Sequence, residues 1–399
     1  LQTIEKLGCD VFVDDLSEVL GNPAFPQTTR GILFDPTNQH KSTQMERTLS
    51  WEQLGSLILG ELDVSELSAL VESCGLPAVS EVERVPGGGN SRVYQVLTTS
   101  GKKFALKVYP SDPSHDRLRS EFEGLRLIHS KGDYPIPVSV GVDRYLEAAT
   151  YEWVDGEPVR SPKLEDAVQA VDFISCLHQL SKQAEFADFS KASAACLSGE
   201  EIEQQLDSRL ELLMSEKDEN LNYFLDKDFV SLLHKMLNRA KSLWPNHGFD
   251  SILEREHQTI SPSDFGFHNA LRIKNGALVF LDFEYFGWDD PVKLMCDFAF
   301  HQGMELSLSI RKYWFQKTLK LYGNHFLLSR LNASWPLYGL CWALILLNEF
   351  RSDVWERRCG ANPSTSNAHL DVKVQQLVRS RNLLKYIDHT VQSKAFDFN

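Results

Sequence analysis

Residues 261–269 read SPSDFGFHN, and after a KNG turn the chain continues as ALVFLDFE over residues 277–284. The spacing of Asp264 and Asn269 alone is weak, since a chain of this length holds such a pair by chance about once. The combination is more specific, because the apolar run before Asp282 predicts a strand that ends at this acid. A loop with an acid and an amide beside such a strand end predicts a divalent-metal site, and a polar hairpin with a capping Asp is the alternative.

A glycine-rich turn lies upstream, in the segment PGGGNSRVY of residues 86–94. Glycines allow backbone N–H groups to approach phosphate oxygens, so Gly88, Gly89, Asn90 and Ser91 are candidate nucleotide contacts. A tight hairpin without a ligand explains these glycines equally well. The spacing also differs from the G-x-G-x-x-G pattern of protein kinases.

A lysine interrupts the apolar strand FALKVY of residues 104–109. Lys107 matches the V-A-I-K lysine that contacts phosphates in kinases, although a lysine in a strand is usually a solvated residue. The amphipathic helix that follows carries Glu121, which would orient the ammonium group through an ion pair, and Glu123 is the competing choice. The chain therefore holds, in kinase order, the cation, metal ligands and base that phosphoryl transfer requires.

The pattern of helices and strands predicts an α+β chain with four parts. Residues 1–48 are Rossmann-like, with a strand, a helix and a second strand, and residues 49–78 form a helical connector. Residues 79–156 show short strands and turns that are typical of an antiparallel sheet. Residues 157–399 are mostly helical, with a β-rich insert that includes the segment 261–284.

Taken together, the chain resembles the aminoglycoside phosphotransferase and choline kinase superfamily over roughly residues 80–390. Further matching pieces are Tyr151-Glu-Trp-Val-Asp-Gly156, Leu177-His178, Asp290-Pro291 and Asp297-Phe-Ala299. The resemblance implies a bilobal protein-kinase-like fold, with a small antiparallel-sheet N-lobe and a mostly helical C-lobe. It also implies an ATP- and Mg-dependent phosphotransferase that acts on a hydroxyl of a small molecule.

The resemblance assigns a role to individual residues. Asp264 would be the base, Asn269 and Asp282 would bind magnesium, and Lys107 would contact the phosphates. The adenine would contact the backbone of Glu152 to Val154. Candidate acceptor contacts are the acidic or aromatic residues Glu284, Tyr285, Trp288, Asp289 and Asp290, whereas His178 is expected to be structural.

The chain departs from the family pattern next to the expected base. The family commonly has His-Gly before this Asp, whereas this sequence has Pro262-Ser263, and His268 directly precedes Asn269. A nucleotide-binding pseudokinase with a regulatory or scaffolding role is therefore the alternative function. A protein kinase is disfavoured, because no A-P-E-like segment follows Asp282.

The N-terminal residues 1–48 resemble the tail of a haloacid-dehalogenase-like domain, in which a strand ends in paired acids such as Asp14-Asp15. The nucleophile-bearing strand of such a domain is absent from these residues, so we interpret them as a truncated or structural remnant without activity. By analogy the segment favours a sugar or surface-polysaccharide precursor as acceptor, beside an amino alcohol or an aminoglycoside. The opening Leu1 is compatible with a fragment or a processed form.

The composition of the 399 residues narrows the choice of partners. The net charge of −14 and the lack of a long Lys/Arg run argue against nucleic acid. The 42% hydrophobic content is that of a globular protein, and no apolar run reaches the roughly 20 residues that cross a bilayer. The seven scattered cysteines predict neither a disulfide framework nor a zinc site, which favours the cytoplasm.

Overall fold

The structure is a computed structural model. It describes residues 1–37, 40, 45–48, 54, 64–85, 91–110, 115–245, 248–323, 325–352, 354–355 and 369–393. The chain divides into two compact units, Leu1–Val82 with Leu97–Gly101 and Glu83–Val96 with Lys102–Asn399. No helix in the described part of the chain is long and apolar enough to cross a membrane.

The first unit contains a small parallel sheet. Its elements are α1 (Gln2–Leu7), β1 (Val11–Asp14), α2 (Ser17–Leu20), β2 (Arg30–Phe34), β3 (Arg47–Thr48) and α3 (Val64–Ser73). β1 pairs with β2 and β2 pairs with β3, both in parallel, and Ile32 and Leu33 of β2 are fully buried. The strand, helix and strand that the sequence predicts are present. Residues 49–53 and 55–63 of the predicted helical connector lie outside the described residues, and α3 lies in its later part.

A five-stranded sheet follows, and one helix lies between its third and fourth strands in the sequence. Its elements are β4 (Val79–Arg84), β5 (Arg92–Thr98), β6 (Lys103–Val108), α4 (Arg117–His129), β7 (Ser139–Asp143) and β8 (Ala148–Glu152). The strand order is β4-β5-β6-β8-β7, and β8 pairs antiparallel with both β6 and β7. Asp116 caps α4 by accepting a hydrogen bond from the Arg119 N–H, and the helix buries Leu118, Phe122 and Leu125. This stripe is the one that its spacing predicts.

The rest of the chain is mostly helical. Its helices are α5 (Leu164–Leu180), α6 (Gly199–Met214), α7 (Glu219–Phe224), α8 (Val230–Leu243), α9 (Pro291–Phe300), α10 (Leu308–Tyr322), α11 (His325–Leu346) and α12 (His369–Ser393). Its strands are β9 (Glu157–Pro158), β10 (Thr259–Ser261), β11 (Ala270–Arg272), β12 (Leu278–Phe280) and β13 (Gly287–Asp289). The α+β fold with a small antiparallel sheet before a mostly helical part is therefore confirmed.

Two small sheets position the loops that carry the expected site. β11 and β12 form the predicted hairpin, in which Ala270 pairs with Phe280, and Gly276 supplies the positive φ of 86° that its turn requires. β9 joins the other edge of β11, and β10 pairs antiparallel with β13. The segment with Asp264 therefore connects β10 to β11, and Asp282 follows β12.

Buried aromatic rings hold these two loops together. Phe173 of α5 lies 5.9 Å from Phe265, 4.9 Å from Phe280 and 6.1 Å from Phe283, measured between ring centroids. Phe265 and Phe280 are themselves 4.9 Å apart. Because Phe265 follows Asp264 and Phe283 follows Asp282, the same core fixes the backbone on which both acids are mounted.

Candidate active site

Lys107 lies at the centre of an ionic network. Its side chain is only 10% exposed, and its Nζ lies 2.6 Å from Oε2 of Glu121, 2.6 Å from Oδ1 of Asp282 and 3.4 Å from Oε2 of Glu284. Burial alone would lower the pKa of Lys107, but the three carboxylates raise it well above its ordinary value. The ammonium group is therefore charged at neutral pH and joins β6, α4 and the end of β12.

The structure distinguishes between the two glutamates that the sequence leaves open. Glu121 is 4% exposed, and besides Lys107 it binds the Tyr109 hydroxyl at 2.8 Å and the Phe283 N–H at 3.2 Å. Glu123 instead pairs on the surface with Arg144 and, at 3.7 Å, with the guanidinium of Arg119. Glu121 is therefore the partner of Lys107.

Asp282 occupies a special backbone position. Its φ is +64°, which is a left-handed conformation that costs a non-glycine residue of the order of 1 kcal/mol or more. One carboxylate oxygen contacts Lys107, while 37% of the side chain is exposed. Withdrawal from water, together with Glu284 and Glu121, raises the pKa of Asp282 to about 6 against the opposing effect of Lys107. This carboxylate faces the site and has an oxygen to offer a cation.

Asp264 lies on a loop whose backbone is also unusual. Ser263 before it has a φ of +69°, and the Asp264 side chain is 39% exposed. Its Oδ1 accepts a hydrogen bond from His268 Nε2 at 3.1 Å. Burial opposes ionisation, but this hydrogen bond and the neighbouring imidazoles lower the pKa of Asp264 below its ordinary value. Asp264 is therefore ionised at neutral pH, as a base must be.

Asn269 connects the loop to the hairpin. Its Nδ2 donates to the backbone oxygen of Asp264 at 3.0 Å, and its own backbone oxygen accepts from the Leu281 N–H at 2.8 Å. Asn269 is therefore held beside Asp264 and beside the residue that precedes Asp282. An amide oxygen and a carboxylate oxygen are hard donors, so this pair fits Mg²⁺.

A cleft with a volume of about 340 Å³ lies between the end of β8 and the β11–β12 hairpin. Its walls include Glu152, Trp153 and Val154 on one side and residues 277–279 on the other. Glu152 and Val154, whose backbone is expected to contact adenine, therefore both line this open cleft.

The remaining nucleotide candidates divide into two groups. Gly88, Gly89 and Asn90 lie outside the described residues. Ser91 is 8% exposed, and its Oγ lies 2.5 Å from Oε2 of Glu284. Ser91 therefore supports a carboxylate that also faces Lys107.

The expectation of acceptor contacts is corrected for four residues, because they are buried and engaged. Trp288 is 3% exposed and donates from Nε1 to the Phe186 oxygen, and Asp289 is 0% exposed. Asp290 caps α9 and pairs with the buried Arg330.

Glu284 is 1% exposed as a whole residue, and Arg117 binds it at 2.9 Å. Only Tyr285 of the five is half-buried, with its hydroxyl 2.8 Å from the same guanidinium. Tyr285 therefore stays a candidate acceptor contact.

Sequence reasoning missed His301, which follows the last residue of α9. Its Nε2 lies 3.6 Å from Oδ1 of Asp264, and its ring stacks on His268 with centroids 3.6 Å apart. No spacing rule links positions 264 and 301, so only the packing of α9 against the loop reveals the contact. His178, expected to be structural, packs edge-on against Tyr322 with centroids 4.9 Å apart.

The fold and this set of residues define a kinase-like phosphotransferase. A model described as the phosphotransferase enzyme family matches residues 81–322, which is more than half of the chain. The chain belongs to the phosphotransferase enzyme family, and the predicted class, a phosphotransferase, is confirmed.

Solved structures of similar fold include spectinomycin phosphotransferase. Its complex with ADP and spectinomycin has a TM-score of 0.54 and 12% identity, with 82% of this chain and 99% of that chain covered. Its AMP complex has a TM-score of 0.55 and 11% identity, with the same coverage. Choline kinase LicA from Streptococcus pneumoniae has a TM-score of 0.49 and 14% identity, with 80% and 98% covered. Such identities show the fold alone, and a search of curated proteins found no match.

Proposed function

We propose that the protein transfers the γ-phosphoryl group of ATP to a hydroxyl of a small molecule in a Mg²⁺-dependent reaction. One observation carries the proposal: Nζ of Lys107 lies 2.6 Å from both Glu121 and Asp282. This contact joins the proposed phosphate-binding lysine to the proposed metal ligand, which is the arrangement that phosphoryl transfer needs.

The proposed reaction is a displacement at phosphorus. The acceptor oxygen forms a bond to the γ-phosphorus while the bond from that phosphorus to the β–γ bridging oxygen breaks, and ADP leaves with the electron pair. Asp264 takes the proton of the hydroxyl, because it is ionised at neutral pH and partly exposed. Lys107 neutralises charge on the phosphates.

Magnesium fits the donor set of this site. Asn269 and Asp282 would hold it, through the amide oxygen of Asn269 and a carboxylate oxygen of Asp282. When bound, the ion supplies positive charge to the phosphates and orients them. Asn269 directly precedes β11 and Asp282 lies two residues after β12, so the β11–β12 hairpin holds the backbone on both sides of the proposed site.

The nucleotide base is proposed to occupy the cleft at the end of β8. The backbone of Glu152 and Val154 would contact adenine there, and the turn with Gly88, Gly89 and Asn90 would cover the phosphates. Since ADP is bound in one structure of similar fold, ATP is the first donor to test. A cytoplasmic location stays a prediction.

A panel of hydroxyl acceptors with radiolabelled ATP tests this function. The panel covers the three acceptor classes: spectinomycin and other aminoglycosides, choline and related amino alcohols, and sugars. We expect Mg²⁺-dependent transfer of label to members of one class, and no transfer by Asp264→Asn. Mg²⁺-dependent ATP binding without transfer to any acceptor would contradict the proposal and indicate the pseudokinase alternative.

A further inference from the structure

Two imidazole rings converge on a single oxygen of Asp264. His268, in the turn Phe267–Asn269, places Nε2 3.1 Å from Oδ1, and His301, at the end of α9, places Nε2 3.6 Å from the same oxygen. The two rings are nearly parallel, with an interplanar angle of 8°. The loop and the helix therefore meet at the carboxylate through a stacked pair of rings, which we call the imidazole pair.

The hydrogen bonds of the imidazole pair define where its protons lie. The Gly303 N–H donates to Nδ1 of His301 at 3.1 Å, so a neutral His301 ring carries its proton on Nε2, facing Asp264. Nδ1 of His268 is buried without a partner among the described residues, so Nε2 is the nitrogen that donates to Asp264. Both rings therefore carry a proton on Nε2, with that of His268 at hydrogen-bond distance from Oδ1 and that of His301 just beyond it, at 3.6 Å.

This arrangement makes the two oxygens of Asp264 unequal. Oδ1 accepts a hydrogen bond from His268 and has Nε2 of His301 3.6 Å away, whereas the described contact of Oδ2 is a long one, 3.4 Å from Nδ2 of Asn269. A general base needs one lone pair directed at the hydroxyl that it deprotonates. We infer that His268 and His301 are positioning residues, which hold Asp264 through Oδ1 and leave Oδ2 to the acceptor hydroxyl. The inference rests on the proposed function.

Two glycines make room for the imidazole pair. A Cβ at Gly266 would lie 2.8 Å from Nδ1 of His268, and a Cβ at Gly303 would lie 2.8 Å from Cε1 of His301. The ring of His301 is also supported on its far side by Trp342, edge-on with centroids 4.6 Å apart. The pair is therefore built into the fold.

The same three groups could in principle hold a metal ion, since their ligand atoms lie within 4.8 Å of one another. The hydrogen bond from Gly303 argues against this use. It leaves the proton of His301 on the nitrogen that would have to bind the metal. We therefore favour positioning over metal binding.

Alanine and glutamine variants of the full-length protein separate positioning from a purely structural role. We expect His268→Ala and His301→Ala to lower kcat about 10- to 100-fold while the KM for Mg-ATP stays unchanged, because the base is misplaced. Glutamine places an amide donor near the position of Nε2, so His268→Gln and His301→Gln should recover most of kcat. The control is His178→Ala, a half-buried histidine that packs on Tyr322 and should keep wild-type kcat.

Two kinetic results would overturn the inference. One is wild-type kcat in both alanine variants, and the other is a loss in the glutamine variants as large as in the alanine variants. A zinc ion that co-purifies with the wild-type protein and is lost in both alanine variants would overturn it as well, in favour of a metal site.

A second measurement does not depend on turnover. NMR of the full chain with 15N-labelled histidine should show both rings as Nε2–H tautomers, and Asp264→Asn should shift both sets of signals but leave those of His178 in place. A protein that transfers phosphate to no acceptor would defeat the proposed function while this readout still tests the contacts. Unshifted signals of both histidines in Asp264→Asn would overturn the inference.

Discussion

Asp282 and Asp290 both follow a three-residue strand, yet the structure gives them opposite surroundings. Asp282, after β12, has a side chain that is 37% exposed, and its carboxylate faces Lys107 and the proposed metal position. Asp290, after β13, is 2% exposed, caps the start of α9 and pairs with Arg330, which is equally buried. The same residue type after a short strand is therefore partly exposed beside a lysine in one place and buried in an ion pair in the other.

The difference lies in how many partners each acid has already. Asp290 meets a guanidinium at 3.0 Å through Nε and the Val292 N–H at 2.8 Å, so its charge is fully used inside the protein. Asp282 has one oxygen on Lys107 and a strained backbone, which is a common mark of functional sites. Exposure and unused hydrogen-bonding capacity therefore distinguish the two acids better than their sequence context does.

The largest effect on activity is expected at Asp264, the proposed base, which is partly exposed like Asp282. Asp264→Asn should lower kcat about 10²- to 10⁴-fold, because the amide cannot accept the hydroxyl proton. The Tm should fall only slightly, since Asn keeps the size of the side chain but loses the charge that His268 stabilises. Steady-state kinetics with calorimetry on the same samples measures both, and a fall in Tm with unchanged kcat would place Asp264 among the structural acids.

Substitution of the buried Asp290 should change the stability of the protein and leave its kinetics unchanged. Asp290→Ala should lower the free energy of unfolding by about 3–5 kcal/mol, because it leaves the Arg330 guanidinium buried without its carboxylate. The folded fraction should keep its KM for ATP. Urea unfolding followed by circular dichroism measures the loss, and a change below about 0.5 kcal/mol would contradict the structural assignment.

The pH dependence of stability offers a further test beside the base. Burial lowers the pKa of His301 to about 4, whereas an unfolded histidine has a pKa near 6.5. Between these values the unfolded chain binds more protons, so stability is lost as pH falls from about 6.5 to 4, by about 3 kcal/mol at most. His301→Gln should remove this part of the pH dependence. The free energy of unfolding can be measured at several pH values in the wild-type protein and in His301→Gln. An equal loss in both proteins between pH 6.5 and 4 would contradict the prediction.

The smallest effects should separate Glu121 from Glu123. Glu121→Gln should lower kcat/KM for ATP about 10-fold, since Lys107 loses the partner that orients it. Glu123→Gln is the matched control, because its ion pairs lie on the surface, and it should change stability by less than about 0.5 kcal/mol. Equal kcat/KM values for ATP in the two variants would contradict the assignment of Glu121 as the partner of Lys107.

Much of the site could be predicted from the sequence, because its parts are local. The hairpin that ends at Asp282 shows in its apolar strand and KNG turn, and Lys107 shows as a charge inside an apolar strand. The choice between Glu121 and Glu123 could not be made, since two positions on one helix differ by face and the competing partners lie on other elements.

The burial of Trp288, Asp289 and Asp290 could not be predicted either. Aromatic and acidic residues after a strand that leads to a proposed metal ligand suit a substrate pocket and a core equally well by composition. Whether they are buried depends on partners that are distant in the sequence. Arg330 lies 40 positions from Asp290, and Phe186, whose oxygen binds Trp288, lies 102 positions from it. His301 was missed for the same reason.

The central claim is that Asn269, Asp282 and Lys107 serve one divalent ion and its nucleotide. Anomalous diffraction from crystals grown with Mn²⁺ and a non-hydrolysable ATP analogue tests it most directly. We predict a manganese peak within about 2.0–2.3 Å of oxygens of Asn269 and Asp282, with the Lys107 ammonium on a phosphate. A peak on Asp264 with His268 and His301, or a nucleotide bound away from Lys107, would contradict the account.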